Sequence, residues 1–323
     1  MNIDMIRASA ARAEGVVRTT PLLTSPFLDE IAGRRLLVKA ECLQHTGSFK
    51  FRGGWSAVSA LPEDVRARGV IAYSSGNHAQ GVALAARRHG VPAVIVMPSN
   101  APQVKVANTR AFGAEVVLYD RATEDRDAIG QRIAEDRGLT LIRPYDEPQV
   151  IAGQGTAGLE IAEQAAAEGV TRADVLVCCG GGGLTSGIAL ALEAEAPGLR
   201  ARPCEPEGFD DVKRSLEAGR IERNERQEGS ICDAIVTPAP GDLTFPILQR
   251  LCGPGIAVSD DDCLRAMRLA FERLRIVIEP GGAAALAAAL FHGDALDGEA
   301  VIAVATGGNV DAAMFARALD MPL

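Results

Sequence analysis

The sequence predicts an α/β protein with two lobes, each built on a largely parallel sheet. Short apolar runs alternate with stretches that place apolar residues at helical spacing, which is typical of parallel strands joined by crossover helices. The chain has 323 residues, which is large for one hydrophobic core, so two domains are expected. We assign residues 1–66 plus 147–323 to a large domain and residues 67–146 to a small mobile domain, without a flexible linker.

The first half of the chain predicts alternating elements. An amphipathic helix opens the chain and a glycine, Gly113, closes another helix, as C-terminal glycines often do. The predicted strands are 36–39, 69–73, 92–97, 114–118 and 139–142. The predicted helices are 4–15, 55–60, 77–89, 104–112 and one that ends near 136.

The second half repeats this alternation. Its apolar runs predict strands at 174–179, 199–203 and 300–304. Its periodic stretches predict helices at 155–167, 184–194, 260–274, 281–291 and 310–319. The region 205–245 is rich in charge and less regular, and it predicts no single element.

Composition limits the possible functions. Hydrophobic residues make up 47% and charged residues 23%, which is the mix of a soluble globular protein. The net charge is −9 and no basic stripe occurs, so a nucleic-acid partner is not expected. Seven cysteines without a Cys-x-x-Cys spacing indicate reduced thiols in a cytoplasmic protein. We expect no signal peptide and no membrane span.

A single lysine lies between two aromatic residues in the stretch 47–54. Apolar walls around Lys50 remove hydration from its ammonium group, which lowers the pKa and makes the neutral amine available. A neutral amine is what a Schiff base with an aldehyde cofactor requires. Taken alone, the stretch is also typical of a surface lysine whose stem covers Phe49 and Phe51.

Four consecutive glycines follow a predicted strand and precede a predicted helix. At Gly180–Gly183 the backbone N–H groups can approach an anion, and the start of the helix adds partial positive charge. The loop lacks the Gly-Lys-Ser/Thr ending of nucleoside-triphosphate loops and the spacing of dinucleotide loops. It predicts a phosphate site, with a tight turn as the alternative.

Polar residues gather at two other junctions between a strand and a helix. Ser74–His78 brings hydroxyl and amide groups to a helix start, where they suit a carboxylate and a phenolic oxygen. Thr306–Asn309 follows the last strand, at the sheet edge where ligands of open α/β sheets bind. Glu279 opens a helix, where the dipole favours an acid. Helix capping is the alternative interpretation of each junction.

Together these stretches resemble one family along nearly the whole chain: the serine/threonine dehydratase and serine racemase family, in its short form without a regulatory domain. The resemblance implies a tryptophan-synthase-β-like fold, that of fold-type II pyridoxal-phosphate enzymes. The segments that carry it are Ser-Phe-Lys-x-Arg-Gly (48–53), Ser-Ser-Gly-Asn-His (74–78), Gly-Gly-Gly-Gly-Leu (180–184), Glu-Pro-x-Gly-Ala (279–283) and Thr-Gly-Gly-Asn (306–309).

The resemblance implies a role for each residue of a cofactor site. Lys50 would carry pyridoxal 5′-phosphate, with Phe49 beside the ring. Asn77 would hold the phenolic oxygen, and Thr306 the pyridine nitrogen, where a serine is commoner in the family. The remaining implied cofactor residues are Gly180, Gly181, Gly182, Gly183, Leu184 and Glu279.

The resemblance also implies substrate contacts. Ser75 would be a second acid–base group, on the cofactor face opposite Lys50. Ser75, Asn77 and His78 would lie near the substrate carboxylate, and Arg126 could meet a distal acid. Gly153–Thr156 resembles a further family turn near the site.

An acidic segment at 205–211 resembles the divalent-cation loop of racemase-like members. The side chains of Glu205 and Asp211 and the carbonyl of Phe209 would bind Mg²⁺ or Ca²⁺, since hard cations prefer oxygen ligands. A solvated acidic turn is the alternative interpretation.

The function implied is a dehydratase that converts L-threonine or L-serine to a 2-oxo acid and ammonia by β-elimination. The alternatives are a 3-hydroxyaspartate dehydratase and a serine racemase with side elimination activity. A cofactor-free binding protein and a β-replacement enzyme of the cysteine synthase type are more distant alternatives. The family also implies a homodimer, with no nucleic-acid or membrane partner.

Overall fold

The structure, a computed structural model, describes residues 1–74, 76–101, 103–120, 122–226 and 228–322. Within them the strands are β1 Leu22–Thr24, β2 Arg35–Lys39, β3 Val70–Tyr73, β4 Ala93–Pro98, β5 Glu115–Tyr119, β6 Thr140–Leu141, β7 Ala173–Cys178, β8 Leu199–Pro206, β9 Ile256–Val258 and β10 Ala300–Val304. The helices are α1 Ile3–Ala13, α2 Pro26–Ala32, α3 Lys50–Ser59, α4 Glu63–Arg68, α5 Asn77–His89, α6 Gln103–Ala111, α7 Arg126–Arg137, α8 Pro148–Ala167, α9 Gly183–Glu195, α10 Asp211–Ala218, α11 Phe245–Leu251, α12 Asp260–Leu269, α13 Pro280–Phe291 and α14 Ala312–Leu319.

The larger sheet has the order β1-β2-β10-β7-β8-β9 and is parallel except for β1. Val304 pairs with Lys39 on one side and with Val177 on the other, so β2, β10 and β7 end at the same edge. The segments that follow these three strands carry the lysine stretch, the Thr306 junction and the four glycines. The predicted α/β fold is confirmed, and the sheet edge brings three of its predicted sites together.

The smaller sheet has the order β5-β4-β3-β6 and is entirely parallel. Its strands lie between Val70 and Leu141, inside the range predicted for the small domain. Its core also contains Phe51 and Val58 from α3, which packs against it. The boundaries at 67 and 146 stay a prediction, because α3 lies before them in the chain but shares this core.

Glycines let α3 approach its neighbours to backbone contact. A Cβ added to Gly54 would lie 2.9 Å from the carbonyl oxygen of Gly81 in α5. A Cβ on Gly153 in α8 would lie 2.4 Å from the carbonyl oxygen of Arg52. Larger residues would push the helices apart, so these glycines set the position of α3, whose first residue is Lys50.

A buried cluster of four charges ties α3 to the larger sheet. Arg52 Nε donates to Glu41 Oε2 at 2.7 Å, and its Nη1 donates to Glu160 Oε1 at 2.7 Å. Lys39 of β2 donates to Glu160 Oε2 at 2.6 Å. Two cations balance two anions, so no buried charge is left uncompensated. Removal of one partner from such a cluster typically costs about 3–5 kcal/mol.

The structure corrects several element boundaries. Helix α8 begins at Pro148, after Glu147 accepts hydrogen bonds from two N–H groups of its first turn, and not at residue 155. Gly153–Thr156 therefore lies inside a helix and is not a turn; close packing outweighs the poor helix propensity of glycine. The prediction omitted α2, α4, α10, α11, β1 and β9, all short. Among the described helices, none combines the length and the apolar character that crossing a bilayer requires.

Candidate active site

A cavity of about 220 Å³ opens at the carboxyl edge of the larger sheet, beside the smaller one. The start of α3, the start of α5, the β7–α9 loop and the segment after β10 all contribute to its wall. The structure thus brings together residues that are far apart in sequence. The predicted site residues that line it are Phe49, Lys50, Asn77, His78, Gly180, Gly181, Gly182, Gly183, Leu184, Glu279 and Thr306.

Lys50 is the first residue of α3. Its Nζ donates to the carbonyl oxygen of Pro144 at 2.8 Å and lies 5.1 Å from the ring centroid of Phe49. Burial lowers the pKa of Lys50 to about 8. The Phe49 N–H donates to the Thr306 carbonyl oxygen at 3.1 Å, which ties this segment to the loop after β10. The structure therefore holds a partly desolvated amine in a fixed place.

The glycine loop between β7 and α9 leaves no room for side chains. A Cβ on Gly181 would lie 2.3 Å from the Tyr145 ring, and one on Gly182 would lie 2.7 Å from Leu248 Cδ1. Gly182 also has φ +90°, a left-handed conformation that favours glycine. The first N–H groups of a helix have no partner within it. This loop is therefore a close backbone cradle at a helix start, suited to an anion.

Three side chains form a hydrogen-bonded row, and two of them, Asn77 and Glu279, line the cavity. Asn309 Nδ2 donates to Asn77 Oδ1 at 2.7 Å, and Asn77 Nδ2 donates to Glu279 Oε1 at 2.6 Å. Burial raises the pKa of Glu279 to about 7. The row joins the starts of α5 and α13 to the segment after β10. Thr306, buried at the end of β10, presents a neutral side chain next to it.

His78 is buried and neutral. Burial, and then the nearby charge of Lys50, lower the pKa of His78 to about 3. Its Nε2 lies 2.9 Å from the carbonyl oxygen of Ile142, which can only accept, so we assign the proton to Nε2. Nδ1 is then a bare acceptor, and no described residue donates to it.

The residues of this cavity fit an aldehyde cofactor with a phosphate. The wall offers an amine of lowered pKa and a glycine cradle in which neighbouring atoms leave no room for a Cβ. It also offers buried polar atoms without a hydrogen-bond partner in the described part of the chain, such as Thr185 Oγ1 beside the cradle. Buried polar groups are normally hydrogen-bonded, so these atoms indicate a polar ligand.

Comparison with known proteins agrees with this fit. The pyridoxal-phosphate dependent enzyme family matches residues 13–307. The chain belongs to this family. It is 45% identical to an L-threo-3-hydroxyaspartate ammonia-lyase of a Pseudomonas species over 98% of this chain and 97% of that protein. A serine racemase of Oryza sativa subsp. indica is 38% identical over 96% of this chain and 91% of its own. The crystal structure of a T.th. threonine deaminase superimposes with a TM-score of 0.91 at 46% identity, over 96% of this chain and 99% of that one.

The enzyme should therefore load its cofactor in a pH-dependent way. The resemblance implies that Lys50 attacks the aldehyde; only its unprotonated amine could do so, and its pKa is about 8 rather than the ordinary 10.5. We expect the rate of covalent attachment of pyridoxal phosphate to the apoenzyme to rise with pH through about 8 and then level off. Stopped-flow absorbance at a series of pH values measures it. A rate that keeps rising up to pH ~10, as for an exposed lysine, would contradict the expectation.

Arg126 does not line this cavity. It lines a second cavity of about 930 Å³ that shares Pro144, Tyr145 and Thr237 with the first. Its guanidinium stands 5.7 Å from the ring centroid of Tyr73 and contacts Asp127 at 3.2 Å. Ser75, the predicted second acid–base group, lies outside the residues that the structure describes.

The predicted cation loop lies at the end of β8. Glu205 is buried, and its oxygens accept the N–H groups of Val212 at 2.9 Å and Lys213 at 2.7 Å. Asp211 Oδ1 accepts from Asn224 at 2.6 Å, whereas no described residue donates to Oδ2. Burial, reinforced by Asp211, raises the pKa of Glu205 well above its usual value, and burial raises that of Asp211 to about 7.

The loop therefore contains two buried acids and the nearby Phe209, also buried. Within the described ranges there is no group of three or more His, Cys, Asp or Glu residues that could hold a metal. A cation here stays a proposal.

Sequence reasoning missed several residues of the cavity wall. Pro144 accepts from Lys50, and Tyr145 packs on Gly181. Gln154, from the segment Gly153–Thr156 that the resemblance placed near the site without giving this residue a role, lines the cavity from the interior of α8. The Gly-Gln-Gly sequence around Gln154 was a usable signal, because glycines in a helix mark close packing. Nothing local distinguishes Pro144 or Tyr145, whose positions depend on the packing of both sheets.

Proposed function

We propose that the enzyme is an ammonia-lyase that converts L-threonine or L-serine to a 2-oxo acid and ammonia by β-elimination. The observation that carries the proposal is the Lys50 amine, with its pKa near 8, in one cavity with the glycine cradle and Thr306. Pyridoxal phosphate, when bound, withdraws electrons from the bonds at the substrate α-carbon. Two of the relatives are named as an ammonia-lyase and a deaminase, and these names support this chemistry.

Lys50 would act as the general base. A base works best when its pKa lies near the working pH, and a value of about 8 allows the neutral amine to accept the α-proton. The α C–H and β C–O bonds break, and the leaving hydroxyl takes up a proton and departs as water. One water is consumed again when ammonia is released, so the atoms balance. Neighbouring Phe49 keeps the amine desolvated.

The start of α5 would bind the substrate carboxylate. Asn77 begins this helix, where free N–H groups and the helix dipole favour an anion. His78 follows it and is neutral, so it adds no charge that would bind the carboxylate too tightly. Thr306, also uncharged, would meet the ring nitrogen. A carboxylate there would favour transamination, and a hydroxyl favours loss of the β-substituent.

A second candidate substrate is 3-hydroxyaspartate. Three arginines, Arg126, Arg143 and Arg223, line the second cavity, which adjoins the first at Tyr145. Guanidinium groups suit a distal carboxylate, because they can bind both of its oxygens. The printed name of the Pseudomonas relative favours the same substrate.

A substrate panel tests both candidates. We expect 2-oxo acid release from L-threonine, L-serine or L-threo-3-hydroxyaspartate. If none of the three releases a 2-oxo acid, the proposal is wrong. If 3-hydroxyaspartate is preferred, Arg126→Met should lower kcat/KM for it by ~10–100-fold. This is the loss expected when one hydrogen bond between charged groups is removed. The threonine value should change little. Arg132→Met, an exposed arginine on the same helix α7, is the matched control.

Racemisation would need a second proton donor on the face opposite Lys50. We propose Ser75 for this role, on the family resemblance alone. We expect Ser75→Ala to lose racemisation, measured as α-proton exchange with inversion, and to retain elimination from the L-substrate. Equal loss of both reactions would count against it.

We also propose that Glu205, Asp211 and the Phe209 carbonyl bind Mg²⁺ or Ca²⁺. Burial raises the pKa of both acids, and Asp211 raises that of Glu205 further, so a cation would stabilise their charged forms. Mg²⁺ or Ca²⁺ at ~100 times its Kd should stabilise the fold by about 2.7 kcal/mol and raise the Tm. Asp211→Asn should remove this rise, and Glu207→Gln, an exposed acid in the same loop, should keep it. An equal rise in both variants would refute the site.

We further propose a cytoplasmic homodimer. All seven cysteines are free and buried, as in reduced proteins. Phe27 is 60% exposed, and the guanidinium of Arg273 lies 5.0 Å from the centroid of its ring. Phe271 and Val277, on either side of Arg273 in the sequence, are also exposed. A contiguous apolar patch of a few hundred Å² is unusual on a monomer, so we propose these residues as the dimer contact. Light scattering of the purified protein gives the mass, and a value of 33.8 kDa would exclude a dimer.

A further inference from the structure

The side chain of Gln154 is buried in the cavity wall without a partner. It is 1% exposed, and neither Nε2 nor Oε1 has a hydrogen-bond partner among the described residues. A primary amide carries two donors and one acceptor, and burial without partners is unfavourable. Such a group persists where a ligand satisfies it. The reaction proposed above does not use Gln154.

Gln154 lies between two glycines that bring three helices together. Gly153 meets α3, and a Cβ on Gly155 would lie 2.8 Å from the carbonyl oxygen of Gly187 in α9. The amide therefore projects into the gap between α3 and the start of α9, closed off from water. A Cβ on Gly183 would lie 2.8 Å from Oε1, and a Cβ on Gly53 would lie 3.1 Å from Nε2.

Gly183 is the first residue of α9 and the last of the four glycines that form the cradle. An anion in this cradle would accept hydrogen bonds, and the amide has two to donate. Rotation of the amide by 180° exchanges its oxygen and nitrogen, and with no partner on either atom among the described residues, no hydrogen bond there opposes that rotation. The amide NH₂ can then face the anion beside Gly183.

We propose that Gln154 binds the cofactor phosphate, as a side-chain donor in a cradle otherwise made of backbone N–H groups. The inference rests on the cofactor of the family and not on the proposed substrate. Its test therefore measures cofactor binding, and it can fail while the proposed reaction stands, or succeed while that reaction fails.

Gln154→Met tests the proposal because methionine has nearly the same length and no hydrogen-bonding atoms that need a partner. In the apoenzyme the change removes an unsatisfied amide, so the Tm should stay equal or rise. The Kd of pyridoxal 5′-phosphate should rise ~10–100-fold, the value of a hydrogen bond to a charged group. Pyridoxal, which lacks the phosphate, should bind the variant and the wild type equally well.

Gln164→Met on the same helix is the matched control. Gln164 bonds Lys39 Nζ at 2.9 Å and the Thr20 carbonyl oxygen at 2.9 Å, so its amide is satisfied. That variant should lower the Tm of the apoenzyme and leave the ratio of the two Kd values unchanged. The pair of glutamines thus separates a ligand-binding amide from a structural one.

Gln154→Glu is a second variant in case the methionine variant does not fold. Its carboxylate would repel the phosphate, so the Kd of pyridoxal phosphate should rise by more than in Gln154→Met, with pyridoxal much less affected. Unchanged Kd values in either variant would overturn the proposal. So would an equal loss of affinity for pyridoxal phosphate and pyridoxal, which would indicate that Gln154 only supports the fold.

Discussion

Replacement of Lys50 by alanine is expected to lower kcat for 2-oxo acid formation at least ~10⁴-fold. Lys50 is both the amine that the family resemblance implies as the cofactor attachment point and the proposed general base, and a general base alone contributes about 10²–10⁴-fold. Among the described residues, the cavity supplies no equivalent amine at that place, since the Lys50 Nζ is fixed by Pro144 and Phe49. Single-turnover assays with added pyridoxal phosphate measure the loss.

Two further variants show which property of Lys50 matters. Lys50→Arg keeps the positive charge, but a guanidinium stays protonated throughout the working pH range, so this variant should be as inactive as Lys50→Ala. Lys105 lines the same cavity and pairs with Asp233 at 3.2 Å, and Lys105→Ala should lose less than ~10-fold. Activity of Lys50→Ala above ~1% of the wild type would contradict its role as base.

Gly182→Ala is expected to weaken both the fold and cofactor binding. At φ +90° a Cβ costs about 1–2 kcal/mol in backbone strain. The same Cβ would lie 2.7 Å from Leu248 Cδ1, and overpacking of this kind costs about 1–3 kcal/mol more. Because the loop must shift to relieve the contact, its N–H groups would lose their alignment with the phosphate that the resemblance implies they bind. Urea unfolding and the Kd of pyridoxal phosphate measure the two effects.

Gly298 offers a control with the same backbone conformation. Its φ is +89°, and nothing among the described residues lies within 4 Å of an added Cβ. Gly298→Ala should therefore be destabilised only by the backbone strain, and it should bind the cofactor with unchanged affinity. Equal destabilisation by both substitutions, with the same Kd, would show that the contacts of the glycine cradle do not matter.

Local patterns in the sequence were sufficient for the elements that carry the site. Asn77–His89 is found as predicted, because its apolar spacing and its flanking glycines agree. The three junctions after β2, β7 and β10 meet at one edge, since parallel strands place their carboxyl ends together. The family resemblance then supplied the ligand, which no spacing within these segments specifies.

What the sequence could not supply depends on packing between distant segments. The charged cluster around Arg52 joins α3, β2 and α8, and no local pattern pairs Arg52 with Glu41 and Glu160. Tyr145 belongs to the wall of both cavities because the two sheets meet there. The start of α8 was placed seven residues late, at 155 rather than Pro148, because Gly153 and Gly155 disfavour helix locally and close packing overrides them.

The contact between Gly54 and Gly81 has a mechanical consequence. Two helix backbones meet there directly, and Phe51 and Trp55 of α3 pack into the apolar core of the smaller sheet, whereas four paired charges join α3 to the larger sheet. Apolar contacts are non-directional, whereas the ion pairs fix the position of α3 on the larger sheet. We therefore expect any movement that admits substrate to occur between α3 and the smaller sheet, and to leave the Lys50 amine in place.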